Sequence, residues 1–227
     1  KRIKVNNNLQ KGQLKQQLVT KFFDGYVDDF YSIYENQSLS SKIINHLFRR
    51  SMYRRFFVAR DIFLSNDVHS LLDVGCGTGV HDIELCVNDK ISVLGVDVAE
   101  NMISKARQLY ENKCDNACSC EFIVSDFAAM NFDEKYDAVL SLGVLEYIED
   151  IAPFLKKMAQ VSNKVVVVSL PVKWNILMLQ RKVRYWLRDC PLYFYSKSRI
   201  KKIIHEAGIS DYSILNLGRD YLLVIKV

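Results

Sequence analysis

Long hydrophobic runs are missing from this 227-residue chain. No stretch approaches the eighteen or so apolar residues of a membrane span, and no signal-peptide pattern opens it. With no secretory signal, six cysteines fit a reducing, cytoplasmic setting better than a disulfide framework. Proline is scarce: Pro153, Pro171 and Pro191 each fall where an element starts or stops. Internal repeats and low-complexity linkers are absent, which excludes a solenoid and leaves one continuous domain over 1–227. Histidine is sparse too. Cys114, Cys118 and Cys120 offer three thiolates at a spacing unlike paired Cys-x-x-Cys, with no His beside them, so loop cysteines are favoured over zinc and no metal is expected. Neither sign of charge dominates: 31 basic against 26 acidic residues leave +5.

What is present is the balance of a globular protein, 49% hydrophobic and 25% charged. The first part of the chain, to about residue 66, reads as helices: apolar groups recur at three- and four-residue spacing from Leu9 to about Tyr34 and from Leu39 to Leu64. From Val68 the pattern alternates. Short β-branched or apolar runs at 70–75, 91–96, 121–125, 136–142 and 164–170 are separated by helical stretches, which predicts a parallel α/β sheet. A helix near 196–207 and two strands at about 211–217 and 220–226 close the chain. Only Gly218 to Asp220 join those strands, so they form a hairpin and the last strand runs antiparallel to the rest.

The stretch Leu71-Leu-Asp-Val-Gly-Cys-Gly-Thr-Gly-Val80 describes a buried strand entering a glycine-paved turn and then a helix. Gly75, Gly77 and Gly79 allow positive φ and close approach to a ligand, and the helix N-terminus beyond offers free N–H groups. Nicotinamide and flavin dinucleotides are bound by a related loop, Gly-x-Gly-x-x-Gly, but Val80 stands where that fingerprint wants its third glycine. Asp97 ends the next apolar run, and an acid there suits a ribose diol because a carboxylate accepts both hydroxyl protons.

Taken in order, these segments resemble the class I S-adenosylmethionine-dependent methyltransferases, over about residues 67–227. Asp73-Val-Gly75-Cys76-Gly77-Thr-Gly79 is similar to the family's first motif, which cradles the methionine end of the cofactor. Asp97 stands where the family holds the ribose hydroxyls, with Val98 and Met102 flanking the adenine. Asp126 and Phe127 resemble the pair that meets the adenine amino group and packs on the ring, and Leu142 falls in the loop after the fourth strand. The resemblance implies a Rossmann-like, seven-stranded, mostly parallel sheet with a C-terminal antiparallel hairpin. It also implies S-adenosyl-L-methionine as cofactor, released as S-adenosyl-L-homocysteine.

Methyl transfer from a sulfonium is an in-line displacement, so catalysis is chiefly positioning and exclusion of water, with a proton sometimes removed. Glu146 and Tyr147, after the fourth strand, lie nearest the expected acceptor and are the candidate catalytic residues. Some relatives have His where Tyr147 stands, so a His base is not expected here. His46, His69 and His205 read as surface or packing residues, and His81 as an early residue of the helix after the glycine loop.

Two segments are candidates to cover the acceptor. The aromatic stretch from Phe22 to Tyr34 resembles the lid helix of small-molecule methyltransferases, magnesium-protoporphyrin methyltransferases among them, with Tyr26, Phe30 and Tyr34 as lid residues. Phe30 and Tyr34, four apart, equally suit one buried helix face. The second candidate is the basic, aromatic insert 172–195, with Trp174 and Met178 against the acceptor. Arg54 and Arg55 could meet a carboxylate, although adjacent arginines face different directions.

Lysine and arginine crowd positions 173–202, which suits nucleic acid, an anionic membrane surface, an acidic substrate or simply a solvated helix face. No Asn- or Asp-Pro-Pro-Tyr motif follows the fourth strand and no Pro-Cys or Thr-Cys dipeptide occurs, which lowers the nucleic-acid readings. The expectation is a methyltransferase acting on a small natural-product, aromatic or lipid-like acceptor, with peripheral membrane contact left open. The alternatives are an RNA or protein methyltransferase docking through 173–202 and a non-catalytic cofactor-binding subunit.

Overall fold

A computed structural model describes residues 18–25, 41–113, 119–173 and 190–227, with 41–51 described by backbone alone. A short helical segment, α1, covers 18–24. Then follow α2 (Ser41–Ser65), β1 (Ser70–Val74), α3 (Val80–Asp89), β2 (Ser92–Asp97), α4 (Glu100–Lys113), β3 (Cys120–Val124) and β4 (Tyr136–Ser141). A single 3-10 turn at Leu145–Tyr147 precedes α5 (Ala152–Gln160), β5 (Ser162–Pro171), α6 (Lys197–Glu206), β6 (Tyr212–Asn216) and β7 (Asp220–Lys226).

The seven strands form one sheet in the order β3-β2-β1-β4-β5-β7-β6. Strands β1 to β5 pair in parallel, while β7 is antiparallel to both β5 and β6. This is the expected Rossmann-like topology closed by a hairpin. The chain winds outward from β1 to β3 and then returns to β4, so connections depart in opposite directions at the β1/β4 boundary. That switch point opens a crevice at the strands' carboxyl ends.

Alternating side chains divide the core in two, as the two-residue period of a strand requires. Leu71, Ala138, Leu140, Val165, Val167, Leu222 and Val224 join one buried cluster with Phe56, Ala59 and Phe63 of α2 and residues of α3 and α4. Leu72, Val139, Val166, Val168, Leu223 and Ile225 join the other with α5 and α6. Phe56, Ala59 and Phe63 are wholly buried; their three- and four-residue spacing puts one stripe of α2 on the sheet. Burying each of the two phenylalanine side chains contributes roughly 1.5–3 kcal/mol. The stripe therefore fixes α2, which leads into β1 and so runs from the carboxyl edge of the sheet to its amino edge. Among the described residues no helix is long and apolar enough to cross a membrane.

Candidate functional site

Five strand ends are laced together around the crevice. The N–H groups of Gly75 and Cys76 donate to the Val96 carbonyl at 2.7 and 3.2 Å, and Ser125 N–H donates to the Asp97 carbonyl at 2.9 Å. On the other side of the switch point, the buried Ser141 hydroxyl donates to the Val74 carbonyl at 2.8 Å. The Ser169 hydroxyl of β5 accepts the Gly143 N–H at 2.8 Å. The glycine loop thus sits beside Asp97, and the β4 exit beside the loop.

All three loop glycines take positive φ: 80° at Gly75, 56° at Gly77 and 64° at Gly79. The sequence expectation that they make room for a ligand needs a correction at two of them. A Cβ on Gly75 would lie 2.2 Å from a methyl of Val144, and one on Gly79 would lie 2.6 Å from the Phe122 ring. These two glycines admit the protein's own neighbours, from the β4 exit and from β3. Gly79 also caps α3 without a side-chain hydrogen bond, so the first N–H groups of α3 keep their capacity for an electron-rich ligand.

Asp97 is gripped by two amides. Its Oδ2 accepts the Gly77 N–H and its Oδ1 the Ala99 N–H, both at 2.9 Å. Burial pushes this carboxyl up, the amides of Ala99, Gly77 and Val98 pull it down, and the nearby Asp24 raises it. In the turn that follows β3, Asp126 Oδ1 accepts the Ala128 N–H at 2.9 Å. That turn is held by Lys157, whose Nζ donates to the carbonyls of Phe127, Ala128 and Met130 at 2.6, 3.0 and 2.5 Å. Phe127 is buried; its ring packs on Phe132 and Phe154 under Lys157. Met102 is buried, while Val98, Cys76 and Leu142 are half-buried. The structure therefore brings Asp73, Cys76, Asp97, Val98, Asp126 and Leu142 to neighbouring strand ends.

Beneath the glycine loop lies a pair of acids. Asp73 of β1 and Asp82 of α3 are 6% and 0% exposed. Neither Asp82 oxygen, nor Asp73 Oδ1, has a described hydrogen-bond donor. Only a proton held between the two carboxyls can bridge them, because two carboxylates are both acceptors. Burial pushes Asp82 up to about 7, against the pull of its hydrogen bond with Asp73. Burial first, and Asp82 second, push Asp73 up. The same environment raises the Cys76 thiol, by burial and then by the neighbouring acids, so Cys76 is a protonated packing residue whose sulfur lies against Gly95.

A cover crosses the crevice. Asp24, at the end of α1, accepts the Asn101 N–H at 3.2 Å and receives the Asn101 side-chain amide on its carbonyl at 3.1 Å. One residue earlier, the Phe23 ring meets Tyr147 edge-on at 5.2 Å. Tyr147 and Cys190 form a small buried cluster with Val19, Phe22, Phe23 and Leu192 around them. α1 thus spans from the exit of β2 to the exits of β4 and β5. Glu146 is fully buried, and its carbonyl accepts the Tyr193 N–H at 2.7 Å. The candidate lid residues Tyr26, Phe30, Tyr34, Trp174 and Met178, the cysteines Cys114 and Cys118, and most of the insert 172–195 lie outside the described residues. Within the described residues, no His/Cys/Asp/Glu group could hold a metal.

His81, the second residue of α3, stacks on Phe56 with ring centroids 4.0 Å apart. Burial, and then the charge of Arg55, push it down to about 3, so it is a neutral packing residue. His69 and His205 are exposed. Sequence reasoning missed Asp24, Asp82, Ser141 and Lys157. An Asp ending an aromatic run before Gly25 was the one available signal for the first.

Residues 65–208 match the protein family described as a methyltransferase domain. Phosphoethanolamine N-methyltransferase 3 of Arabidopsis thaliana is 36% identical over 81 residues, 35% of this chain and 16% of that protein. A probable cobalt-precorrin-6B C(15)-methyltransferase (decarboxylating) of Thermoplasma acidophilum is 28% identical over 115 residues, covering 48% of this chain and 55% of that one. The chain therefore spans about a sixth of the first of these relatives and about half of the second. Demethylmenaquinone methyltransferase of Shouchella clausii is 22% identical over 213 residues, 82% of this chain and 88% of that protein. Among solved structures, magnesium protoporphyrin IX methyltransferase from Synechocystis PCC 6803 with bound SAH superposes with a TM-score of 0.76 at 19% identity, covering 93% of this chain and 99% of that one. That likeness establishes the fold. The family match covers well over half of the chain, with the glycine loop and Asp97 inside it, and on that ground the chain belongs to the methyltransferase-domain family.

Proposed function

We propose that this enzyme methylates a small molecule, and that the acceptor is bound between the β4 exit and the cover formed by α1. The observation that carries this reading is the bridge made by α1: Asp24 on Asn101 at one end and Phe23 on Tyr147 at the other. A cover tied across both halves of the crevice suits an acceptor that fits beneath it. The apolar character of Phe22, Phe23, Tyr147, Cys190 and Leu192 suits an aromatic or lipid-like body. The demethylmenaquinone and cobalt-precorrin methyltransferases among the relatives, whose names describe small acceptors, lend support.

The described residues fit the cofactor. Asp97 is held by the Gly77 and Ala99 amides at a strand end where its oxygens retain lone pairs for a ribose diol, and the uncapped start of α3 leaves N–H groups beside the loop. Asp97 holds the ribose, the loop from Asp73 through Cys76 to Gly79 holds the methionine end, and Val98, Met102, Asp126 and Phe127 form the adenine end, with Leu142 at its edge. When bound, the cofactor supplies an electrophilic methyl group on a sulfonium. The protein's part is to hold the acceptor atom in line, exclude water with the cover and, at Tyr147, position or deprotonate the acceptor. Glu146, buried beneath, orients that turn. The chain acts as one domain, in which α1 covers the site and α2 packs on the sheet as part of the core.

Calorimetric titration with S-adenosylmethionine and S-adenosylhomocysteine, with NAD as the control, tests the cofactor half. Methyl transfer from labelled cofactor to a panel of quinols, tetrapyrroles and amines tests the acceptor half. Transfer to bulk RNA or protein, with none to the panel, would replace this reading by docking through the 173–202 segment.

A further inference from the structure

We infer that Arg55 is the specificity-determining residue of the acceptor site, and that the acceptor carries a carboxylate or phosphate group bound by its guanidinium. This rests on the small-molecule reading above and names the acceptor's chemical class.

Arg54 and Arg55 are neighbours on α2, about 100° apart around the helix axis. Arg54 points outward, with Nη1 donating to the Leu217 carbonyl at 3.4 Å. Arg55 flanks the buried Phe56/Ala59/Phe63 stripe, and its side chain is only 12% exposed. It reaches the carboxyl ends of β4 and β5, where acceptors bind in this topology. Nη1 lies 3.5 Å from the Ser169 hydroxyl and 3.9 Å from Asp220 Oδ2.

Both contacts are long for a charge this buried. The same helix supplies the comparison: Arg60 places Nε and Nη2 on the two oxygens of Asp89 at 2.6 Å each, the side-on fork that gives guanidinium its geometric specificity. Nε and Nη2 of Arg55 carry no hydrogen bond to any described residue. The Ser169 hydroxyl is already engaged by the Gly143 N–H, and His81 nearby is neutral, so Asp220 supplies the one described counter-charge. Nε and Nη2 therefore keep their fork of donors open to an anion.

The local backbone makes room for the guanidinium itself. Gly143, with φ +79°, follows β4, and a Cβ there would sit 2.9 Å from Arg55 Nη2. The fork therefore lies directly against the loop that leads to Leu145–Tyr147, where the candidate catalytic tyrosine stands. A planar fork at that place selects an oxyanion in the acceptor and sets its distance from the methyl donor.

The test follows the Arg55 Nε–H resonance in 15N-labelled, S-adenosylhomocysteine-loaded protein during titration with benzoate, phenyl phosphate and benzamide. The expected result is a saturable shift with an anion and none with benzamide. The stronger anion identifies carboxylate or phosphate as the group recognised. Arg55→Met should weaken anion binding about 10-fold or more while S-adenosylhomocysteine affinity stays within about twofold, and Arg55→Lys, which keeps charge but loses the fork, should weaken it less. No saturable shift with either anion, or equal anion affinity in the Met variant, overturns the inference. Loaded protein that ignores both anions refutes the role of Arg55 alone. A chain that never binds S-adenosylhomocysteine refutes the functional reading beneath it as well.

Discussion

The two halves of the crevice are built by different means. On the β1–β3 side the groups proposed to meet the ligand are backbone amides and short acids within a few residues of strand ends: Gly77 and Ala99 N–H on Asp97, and the Asp126 turn. On the β4–β7 side they are long side chains from distant segments, with Phe23 from α1, Arg55 from α2 and Tyr147 from the 3-10 turn converging on one loop. A common cofactor can be held by backbone geometry, which many sequences share. An acceptor is recognised by side chains, which each sequence chooses for itself.

Removing Asp97 should break the cofactor half most severely. Asp97→Ala takes away the acceptor of the Gly77 and Ala99 amides as well as the proposed ribose ligand. We expect S-adenosylhomocysteine affinity to fall about 100-fold or more, or about 3 kcal/mol, measured by calorimetry. Affinity within a few-fold of the parent would move the ribose elsewhere.

Gly75 tests whether the halves are mechanically joined. Alanine at φ +80° is strained, and its methyl would fall 2.2 Å from Val144 of the β4 exit. Gly75→Ala should cost about 2–3 kcal/mol of stability in urea titration. Adding Val144→Ala should restore about 1 kcal/mol. Strict additivity would mean that the loop and the β4 exit are independent.

The strand periodicity, the hairpin and the glycine loop were legible in the sequence because each is a local pattern, and the observed strands differ from expectation only at their ends. Asp82 was not legible. A polar residue on a helix normally faces water, and nothing local shows that α3 turns this one onto Asp73. Nor does the sequence say which of two adjacent arginines enters the core, since that depends on the rotation of α2 fixed by Phe56 and Phe63. The glycines were found for their positive φ, but the partners at Gly75 and Gly79 are Val144 and Phe122, far along the chain.

The acid pair makes the cofactor half pH-sensitive. Asp82 is held at about 7 against 3.8 for a free carboxyl. The folded state therefore binds more protons than the unfolded one between those values, and stability falls as pH rises through that window. In Asp82→Asn the amide can donate to Asp73 without a proton. Its unfolding profile should be flatter from pH 4 to 7, with a gain of roughly 2 kcal/mol at pH 8. An unchanged slope would show that the two acids do not share a proton.

Tyr147→Phe should have the smallest effect and is confined to the acceptor half. The ring is 8% exposed and packs edge-on against Phe23, so phenylalanine keeps the volume and the aromatic contact while deleting only the hydroxyl. Stability and S-adenosylhomocysteine affinity should stay near the parent values, because the backbone-built cofactor half is untouched. Turnover should fall about 10-fold if the hydroxyl orients or deprotonates the acceptor, a loss of about 1.4 kcal/mol in the transition state. An equal fall in kcat and kcat/KM would place that interaction in the transition state alone, whereas a rise in KM with kcat unchanged would make the hydroxyl a binding contact. If neither constant moves, Tyr147 belongs to the cover, and the chemistry of the acceptor half falls to the positioning that Arg55 provides.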